Sequence, residues 1–143
     1  EHTMNTPESI AYTARAEVTG GRDGRGATDD GKLEVALQTP KEMGGSGEGT
    51  NPEQLFAVGY GACFQGALGL AGKEMGVDTS KSVVNAEVGI GKEGESFGLS
   101  VKLSVSIPGI DKDQAQKVVD RTHELCPYSK ATRGNIPVEV VAV

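Results

Sequence analysis

The chain has 143 residues, of which 36% are hydrophobic and 4% aromatic, a composition that suits one domain with a small apolar core. Its formal net charge is −6, from 20 acidic and 14 basic side chains, with no block of lysine or arginine. This balance excludes nucleic acid and anionic membrane surfaces as partners.

The sequence contains no stretch of about 20 apolar residues that would indicate a membrane span, and its start lacks the charged-then-apolar pattern of a secretory signal. We therefore expect a cytoplasmic protein without membrane insertion. We also expect a single domain over residues 1–143, with residues 1–9 flexible and Met4 as the native initiator after a short foreign leader. In a reducing compartment, a cysteine pair is more often catalytic or redox-sensing than structural.

Residues 12–19 and 33–37 alternate between apolar and polar side chains, which is the period of a half-buried strand. The two segments predict an antiparallel pair joined by a glycine-rich loop at residues 20–31. That loop carries two basic side chains, Arg22 and Arg25.

A glycine-rich connector at residues 44–50 leads into the signals of a helix start. Asn51 is suited to cap the helix, Pro52 to occupy its first position, and Gln54 to complete a capping box. A helix is therefore predicted from about Pro52 to about Met75.

This predicted helix is almost uncharged, and each glycine in its interior costs about 1 kcal/mol of helix propensity relative to alanine. Close packing against another backbone is the expected compensation. An apolar helix of this length needs cover on all sides, so a partner subunit is implied. The glycines are Gly59, Gly61, Gly66, Gly69 and Gly72.

The second half of the chain repeats the order of strands followed by a helix. Residues 84–90 and 99–107 alternate and predict a second hairpin, with a loop at residues 92–98. A capping box of Asp111 and Gln114 begins the next helix, and residues 136–143 predict a closing strand. Five side chains of this helix lie on one inward stripe: Ala115, Val118, Val119, Thr122 and Cys126.

The two cysteines are the strongest indication of chemistry in the chain. Cys63 lies in the apolar helix, and Cys126 precedes Pro127. Pro127 has two possible roles: it only ends the second helix, or it also directs the Cys126 thiol. A buried cysteine is commonly a small hydrophobic residue. A cysteine beside a cation is instead a nucleophile, because the cation stabilises the thiolate. Arg22 and Arg25 are the candidate cations, although a solvated turn would account for both.

Glu53 lies in the first turn of the apolar helix, where it favours the helix dipole. Its alternative role is to hold an arginine in a bidentate pair. Ten residues separate Glu53 from Cys63, which is about 15 Å along a regular helix. The two side chains share a site only if the helix breaks near residues 59–61, or if a second subunit supplies the acid or the arginine.

Several spaced segments carry a resemblance to a known family. In chain order they resemble the Ohr (organic hydroperoxide resistance) branch of the Ohr/OsmC family of thiol peroxidases, and the match runs from about residue 12 to the end. The segments are Gly20-Gly21-Arg22-Asp23-Gly24, TNPEQLFA at 50–57, GYGACF at 59–64, HELCPYS at 123–129, and Arg133-Gly134-Asn135.

The resemblance implies an α+β fold with antiparallel β-sheets wrapped around central helices in an intertwined homodimer. It implies reduction of organic hydroperoxides, including those of fatty acids, through a sulfenic acid and an intramolecular disulfide that a lipoyl-bearing protein reopens. No metal or other cofactor is required. By similarity, Cys63 is the peroxidatic cysteine, Cys126 the resolving one, Arg22 the cation beside the thiolate, and Glu53 the carboxylate that orients that arginine.

Aromatic side chains are the candidates for an apolar substrate pocket, which would favour alkyl or lipid peroxides over hydrogen peroxide. Packing in the core is the alternative for each of them. The candidates are Phe56, Tyr60, Phe64 and Tyr128, together with Met43.

Two other functions stay open. A hydrolase would use Cys63 as nucleophile and His123 as base, but the chain has no nucleophile-elbow pattern and this mechanism leaves Cys126 idle. A non-enzymatic redox sensor or structural stress protein would use the cysteine pair to change shape. A sensor is oxidised once, whereas a peroxidase consumes reducing equivalents continuously.

Overall fold

The computed structural model describes residues 3–143. Glu1 and His2, which belong to the segment expected to be flexible, lie outside the described residues. The chain divides into two compact units, one that ends at Leu55 and one that spans Phe56–Val143. The expectation of a single domain stays a prediction.

The first unit contains a three-stranded antiparallel sheet in the order β1-β2-β3. The predicted direct pairing of the first and third segments is wrong, because β2 lies between them. Buried Gly26 of β2 lies opposite Val18 and Val35, and a Cβ there would be 3.5 Å from the nearest valine methyl. The strands are β1 (Ala16–Thr19), β2 (Arg25–Thr28) and β3 (Glu34–Ala36).

Helix α1 (Pro52–Met75) begins and ends where the sequence predicts. The backbone N–H of Gln54 donates to Asn51 Oδ1 at 2.9 Å, which confirms the cap. The Gln54 side chain does not complete a capping box, because its Oε1 accepts from Thr50 Oγ1 at 2.7 Å. The helix is continuous over its 24 residues, so a break near residues 59–61, one of the two alternatives for Glu53 and Cys63, is absent.

Helix α1 is long and apolar enough to cross a membrane by length and composition, so the expectation that no such stretch exists is wrong. One face nevertheless packs in the core of the second unit, through residues that include Tyr60, Phe64 and Leu68. The helix is therefore a core helix. Its glycines are only partly close-packed: a Cβ on Gly72 would lie 2.7 Å from Val77 O, whereas a Cβ on Gly66 would meet nothing within 4 Å.

The second unit contains a sheet in the order β4-β5-β6. Strands β4 (Val83–Glu93) and β5 (Ser96–Ser106) form the predicted hairpin, but they continue to a two-residue turn at Gly94 and Glu95. The predicted loop at residues 92–98 is therefore too long. Strand β6 (Val138–Ala142) confirms the closing strand and pairs in parallel with β5, an exception to the antiparallel expectation.

Helices α2 (Lys112–Leu125) and α3 (Pro127–Thr132) form the crossover that this parallel pairing requires. Asp111 caps α2 by accepting from the backbone N–H of Gln114 at 2.8 Å. All five residues of the predicted inward stripe are buried, and Cys126 is fully so. Helices α1 and α2 share one apolar core with the sheet, which confirms the α+β class.

Candidate active site

The second unit brings the two cysteines together. Cys63 Sγ on α1 lies 3.7 Å from Cys126 Sγ at the junction of α2 and α3, and both thiols are free. A disulfide needs a sulfur separation of about 2.05 Å. The pair is therefore in the reduced state with the two sulfurs in contact.

The two thiols differ in exposure. Cys126 is fully buried, whereas Cys63 is half-buried and so is the thiol that solvent reaches. Burial raises the pKa of Cys63, the backbone N–H of Tyr128 lowers it, and the neighbouring Cys126 raises it further. The net direction is upward, which favours the neutral thiol.

Cys126 and Pro127 lie where one helix ends and the next begins. Cys126 has an extended backbone with φ −64° and ψ 124°, as expected for a residue that precedes proline. Pro127 is the first residue of α3, where the absence of an N–H costs nothing. Pro127 therefore lies where α2 has ended and α3 begins, and its role in directing the Cys126 thiol stays a prediction.

In the first unit, Glu53 holds Arg22 in the expected bidentate pair. Arg22 Nη1 and Nη2 donate to the two carboxylate oxygens at 2.8 and 3.0 Å. Hydrogen bonding to Arg22 lowers the pKa of Glu53, although burial opposes this shift. The carboxylate is therefore charged at neutral pH and fixes the direction of the guanidinium.

The loop that carries Arg22 is shaped by its neighbours in the sequence. Gly20 and Gly21 have positive φ values of 79° and 60°. A Cβ on Gly24 would lie 1.9 Å from Thr19 O, so only glycine fits there. Asp23 accepts hydrogen bonds from Thr39 N and Oγ1 at 3.0 and 3.1 Å, which ties the loop to the chain after β3.

The two candidate cations differ in environment. Arg25 lies on β2 rather than in the loop, and it forms an exposed ion pair with Glu34. Arg22 is only about one-third exposed and Glu53 is mostly covered. The interpretation of a solvated side chain fits Arg25, whereas Arg22 is held in one orientation.

The chain is similar to known proteins over most of its length. A family profile described as OsmC-like protein matches residues 45–141. The organic hydroperoxide resistance protein of Xanthomonas axonopodis pv. citri is 48% identical over 137 residues, which cover 94% of this chain and 96% of that protein. The chain belongs to the OsmC family, in its organic hydroperoxide resistance branch.

Solved structures of this branch have the same fold. The organic hydroperoxide resistance protein of Elizabethkingia anophelis matches with a TM-score of 0.87 and 44% identity, over 95% of this chain and 98% of that one. The organic hydroperoxide resistance protein OhrB of Bacillus subtilis matches with a TM-score of 0.85 and 40% identity, over 94% and 100% of the two chains.

In this OsmC-family chain, the four candidate pocket residues fall into two classes. Tyr60 and Phe64 are fully buried and belong to the core, so the core interpretation holds for both and they offer no surface to a substrate here. Phe56 and Tyr128 stack with ring centroids 5.9 Å apart, and Tyr128 is 38% exposed. Gly59 makes room for the Tyr128 ring, because a Cβ there would be 3.1 Å from the phenol oxygen.

A buried polar cluster next to Cys126 was not predicted from the sequence. The Tyr60 hydroxyl lies 2.8 Å from Ser129 Oγ and 2.9 Å from Thr132 Oγ1. His123 Nδ1 lies 2.7 Å from the same Ser129 oxygen. Burial, and then the charge of Arg133, lower the pKa of His123. The available signal was the three-residue spacing of His123, Cys126 and Ser129 around the helix end at Pro127.

This cluster bears on the hydrolase hypothesis. A hydrolase would need His123 to act on the Cys63 thiol. In the described part of the chain, His123 Nδ1 instead pairs with Ser129, and the Cys63 sulfur contacts Cys126. The arrangement therefore favours chemistry between two sulfurs.

Proposed function

We propose that this protein is a cysteine-based peroxidase that reduces organic hydroperoxides to alcohols. The observation that carries the proposal is the 3.7 Å separation of two free thiols, one half-buried and one fully buried. The relatives named organic hydroperoxide resistance proteins supply the substrate class. The setting we expect is the cytoplasm.

The reaction begins at Cys63. Its thiolate attacks the distal oxygen of ROOH, the O–O bond breaks, and the alkoxide leaves as the alcohol after taking a proton. Cys63 is then a sulfenic acid, the first step of cysteine oxidation. Cys126 attacks that sulfur, the S–O bond breaks, water leaves, and a Cys63–Cys126 disulfide forms.

A dithiol reductant then restores the two thiols by exchange. Cys63 is the sulfur that an external thiolate can reach, because Cys126 is fully buried. A lipoyl-bearing protein suits this step, since its dithiol attacks once and then closes on itself. No metal or other cofactor takes part in the scheme.

Arg22 is proposed to stabilise the Cys63 thiolate, with Glu53 as its orienting carboxylate. The need for a cation follows from the raised pKa of Cys63. Because α1 is unbroken, ten residues of regular helix separate Glu53 from Cys63, which is about 15 Å. We therefore propose that the partner subunit of a homodimer supplies the arginine and the acid.

An uncovered apolar stripe on α1 supports the homodimer. Val58 is 74% exposed and Leu70 is 61% exposed, and Ala62 and Gly66 lie between them at helical spacing and are also exposed. Gly66 also leaves open space beside the helix. Exposed apolar stripes of this kind mark interaction sites. We propose that a second copy covers this stripe, which gives the intertwined dimer.

Phe56 and Tyr128 are proposed to contact the alkyl group of the substrate. Their stacked rings lie in the unit that carries both cysteines. The Tyr128 ring is partly exposed, and the backbone N–H of the same residue faces Cys63. An apolar surface beside the reacting sulfur favours an organic peroxide over hydrogen peroxide.

The wild-type protein is expected to consume cumene hydroperoxide continuously when a lipoyl-bearing protein and its reductase are supplied. Many equivalents of peroxide per protein chain should disappear, because the disulfide is reopened after each cycle. Peroxide loss and NADH oxidation measure this turnover. Consumption that stops after one equivalent would contradict the proposal and favour the redox sensor.

Arg22→Gln is expected to slow the oxidation of Cys63 by about 10- to 100-fold at pH 7, because removing the cation raises the pKa of the thiol by one to two units. The pH profile of alkylation by iodoacetamide should move to higher pH by the same amount. Arg25→Gln is the matched control, since Arg25 pairs with exposed Glu34, and its profile should not move.

Mixing an inactive variant with a slowed one tests which subunit supplies the arginine. A heterodimer of Cys63→Ser and Arg22→Gln chains contains one complete site if Arg22 acts across the dimer. Activity should therefore return after the chains are exchanged. No recovery in a verified heterodimer would place Arg22 and Cys63 of one chain in the same site.

A further inference from the structure

The buried polar cluster connects the two segments that carry the cysteines. Tyr60 lies three residues before Cys63 on α1, and Ser129 lies three residues after Cys126 on α3. The Tyr60–Ser129 hydrogen bond of 2.8 Å therefore runs beside the contact between the two sulfurs, about one helical turn away on each side.

Helix α3 depends on these contacts because it is short. It has only six residues, and helices of this length are marginal in water without tertiary packing. Ser129 binds both α1, through Tyr60, and α2, through His123. Thr132 adds a second bond to the Tyr60 hydroxyl, and Arg133 Nη1 donates to His123 O at 2.6 Å.

The three hydroxyl groups of the cluster are buried and all are hydrogen-bonded. Tyr60 and Ser129 have no exposed surface, and Thr132 has 7%. In the described residues, every buried side-chain nitrogen and oxygen has a hydrogen-bond partner. A connected network of hydrogen bonds in a low-dielectric interior resists distortion. The backbone that follows Cys126 is therefore held in one place relative to α1.

Disulfide formation needs such a fixed position. The sulfurs must approach from 3.7 Å to about 2.05 Å, with a dihedral angle near 90°. A fully buried Cys126 cannot search for its target through solvent. Closure is fast only if Cys126 is held near the line of attack on Cys63, since rates of intramolecular reactions depend strongly on such alignment.

We propose that Tyr60, Ser129 and His123 are positioning residues for the resolving step, holding Cys126 within reach of oxidised Cys63. The inference rests on the proposed peroxidase function. In the step itself, the Cys126 sulfur bonds to the Cys63 sulfur, the S–O bond of the sulfenic acid breaks, and the hydroxyl leaves with the Cys126 proton as water. The positioning residues exchange no atoms with the reactants.

The test compares Tyr60→Phe with Thr122→Val. Tyr60→Phe removes one hydroxyl and keeps the buried ring. Thr122→Val also removes a buried hydroxyl near Cys126, but that hydroxyl donates only to Val118 O of its own helix. Each variant is mixed with cumene hydroperoxide in a single turnover. Loss of peroxide measures the uptake step, and loss of the second thiol, counted after quenching, measures disulfide closure.

For Tyr60→Phe, peroxide uptake should stay within about twofold of wild type, while disulfide closure should slow by about tenfold, the scale of the lost hydrogen bond between Tyr60 and Ser129. Excess peroxide should then drive more Cys63 to the sulfinic acid. Ser129→Ala should act in the same direction, and the double variant should be less than additive because the two share one network. Thr122→Val should close at the wild-type rate.

Closure at the wild-type rate in both Tyr60→Phe and Ser129→Ala would overturn the inference. Equal slowing of uptake and closure, with a lowered Tm, would also overturn it, because the cluster would then be only structural. Oxidation with diamide tests the positioning role independently of the proposed peroxidase function. It activates Cys63 without peroxide, so slow closure with diamide supports positioning even if wild type takes up no hydroperoxide.

Discussion

Cys63→Ser is expected to lose hydroperoxide turnover by at least about a thousandfold, the scale seen when a catalytic nucleophile is removed. A serine hydroxyl stays protonated at neutral pH and is a far weaker nucleophile than a thiolate. Cys126 cannot replace Cys63, because it is fully buried. Peroxide consumption under steady-state conditions measures the loss.

A matched control is needed because a cysteine on α1 is also a packing residue. Serine has nearly the volume of cysteine, so the Tm of Cys63→Ser should stay close to that of wild type. Thr122→Val, which alters a buried side chain on α2, should keep full turnover. Multiple turnovers by Cys63→Ser would refute the assignment of Cys63 as the attacking cysteine.

Cys126→Ser is expected to take up one equivalent of hydroperoxide at the wild-type rate and then stop at the sulfenic acid. Recycling by the lipoyl-bearing protein should fall by about a hundredfold or more, because an adjacent thiol acts at a far higher effective concentration than an external one. Trapping with dimedone should label Cys63 in this variant and not in wild type.

The persistence of the sulfenic acid gives a second measurement. Excess peroxide should convert it to the sulfinic acid, which the dithiol does not reduce, so activity should decay with each dose. The uptake step itself should keep its rate, since Cys63 is unchanged. Undiminished recycling in Cys126→Ser would show that the disulfide is not on the reaction path.

Helix starts were predicted well because adjacent residues decide them. Asn51 and Asp111 both accept from the N–H three residues later, as their sequence positions indicate. The ends of the hairpin strands were predicted less well. Lys92 pairs with Phe97 and Glu93 with Ser96, and this backbone pairing continues through residues that lack apolar alternation.

One error and one discarded alternative have tertiary causes. Strand β2 escaped the periodicity argument because Gly26 offers no side chain to the pattern, although Val18 and Val35 pack on either side of it. A break in α1, one of the two alternatives for Glu53 and Cys63, is absent because the buried face of the helix, which includes Phe64 and Leu68, is held by the core. Burying each such side chain contributes about 2 kcal/mol, which exceeds the cost of a glycine.

Some parts of the candidate site were predicted from the sequence, and others were not. The inward direction of Cys126 followed from the apolar stripe of α2 and is confirmed. The bidentate pair of Arg22 and Glu53 was one of two alternatives for Glu53, and the structure contains it. Residue types alone did not separate core from surface among the aromatic residues, because Phe and Tyr occur in both.

The sequence by itself determined which groups can react and where the helices begin, because residue chemistry and helix caps reside in single residues and their near neighbours. The tertiary structure alone decided that Cys63 and Cys126, 63 positions apart, lie within 3.7 Å. It also decided that Tyr60 bonds to Ser129, 69 positions away. Packing of distant segments sets these distances, and no local pattern encodes them.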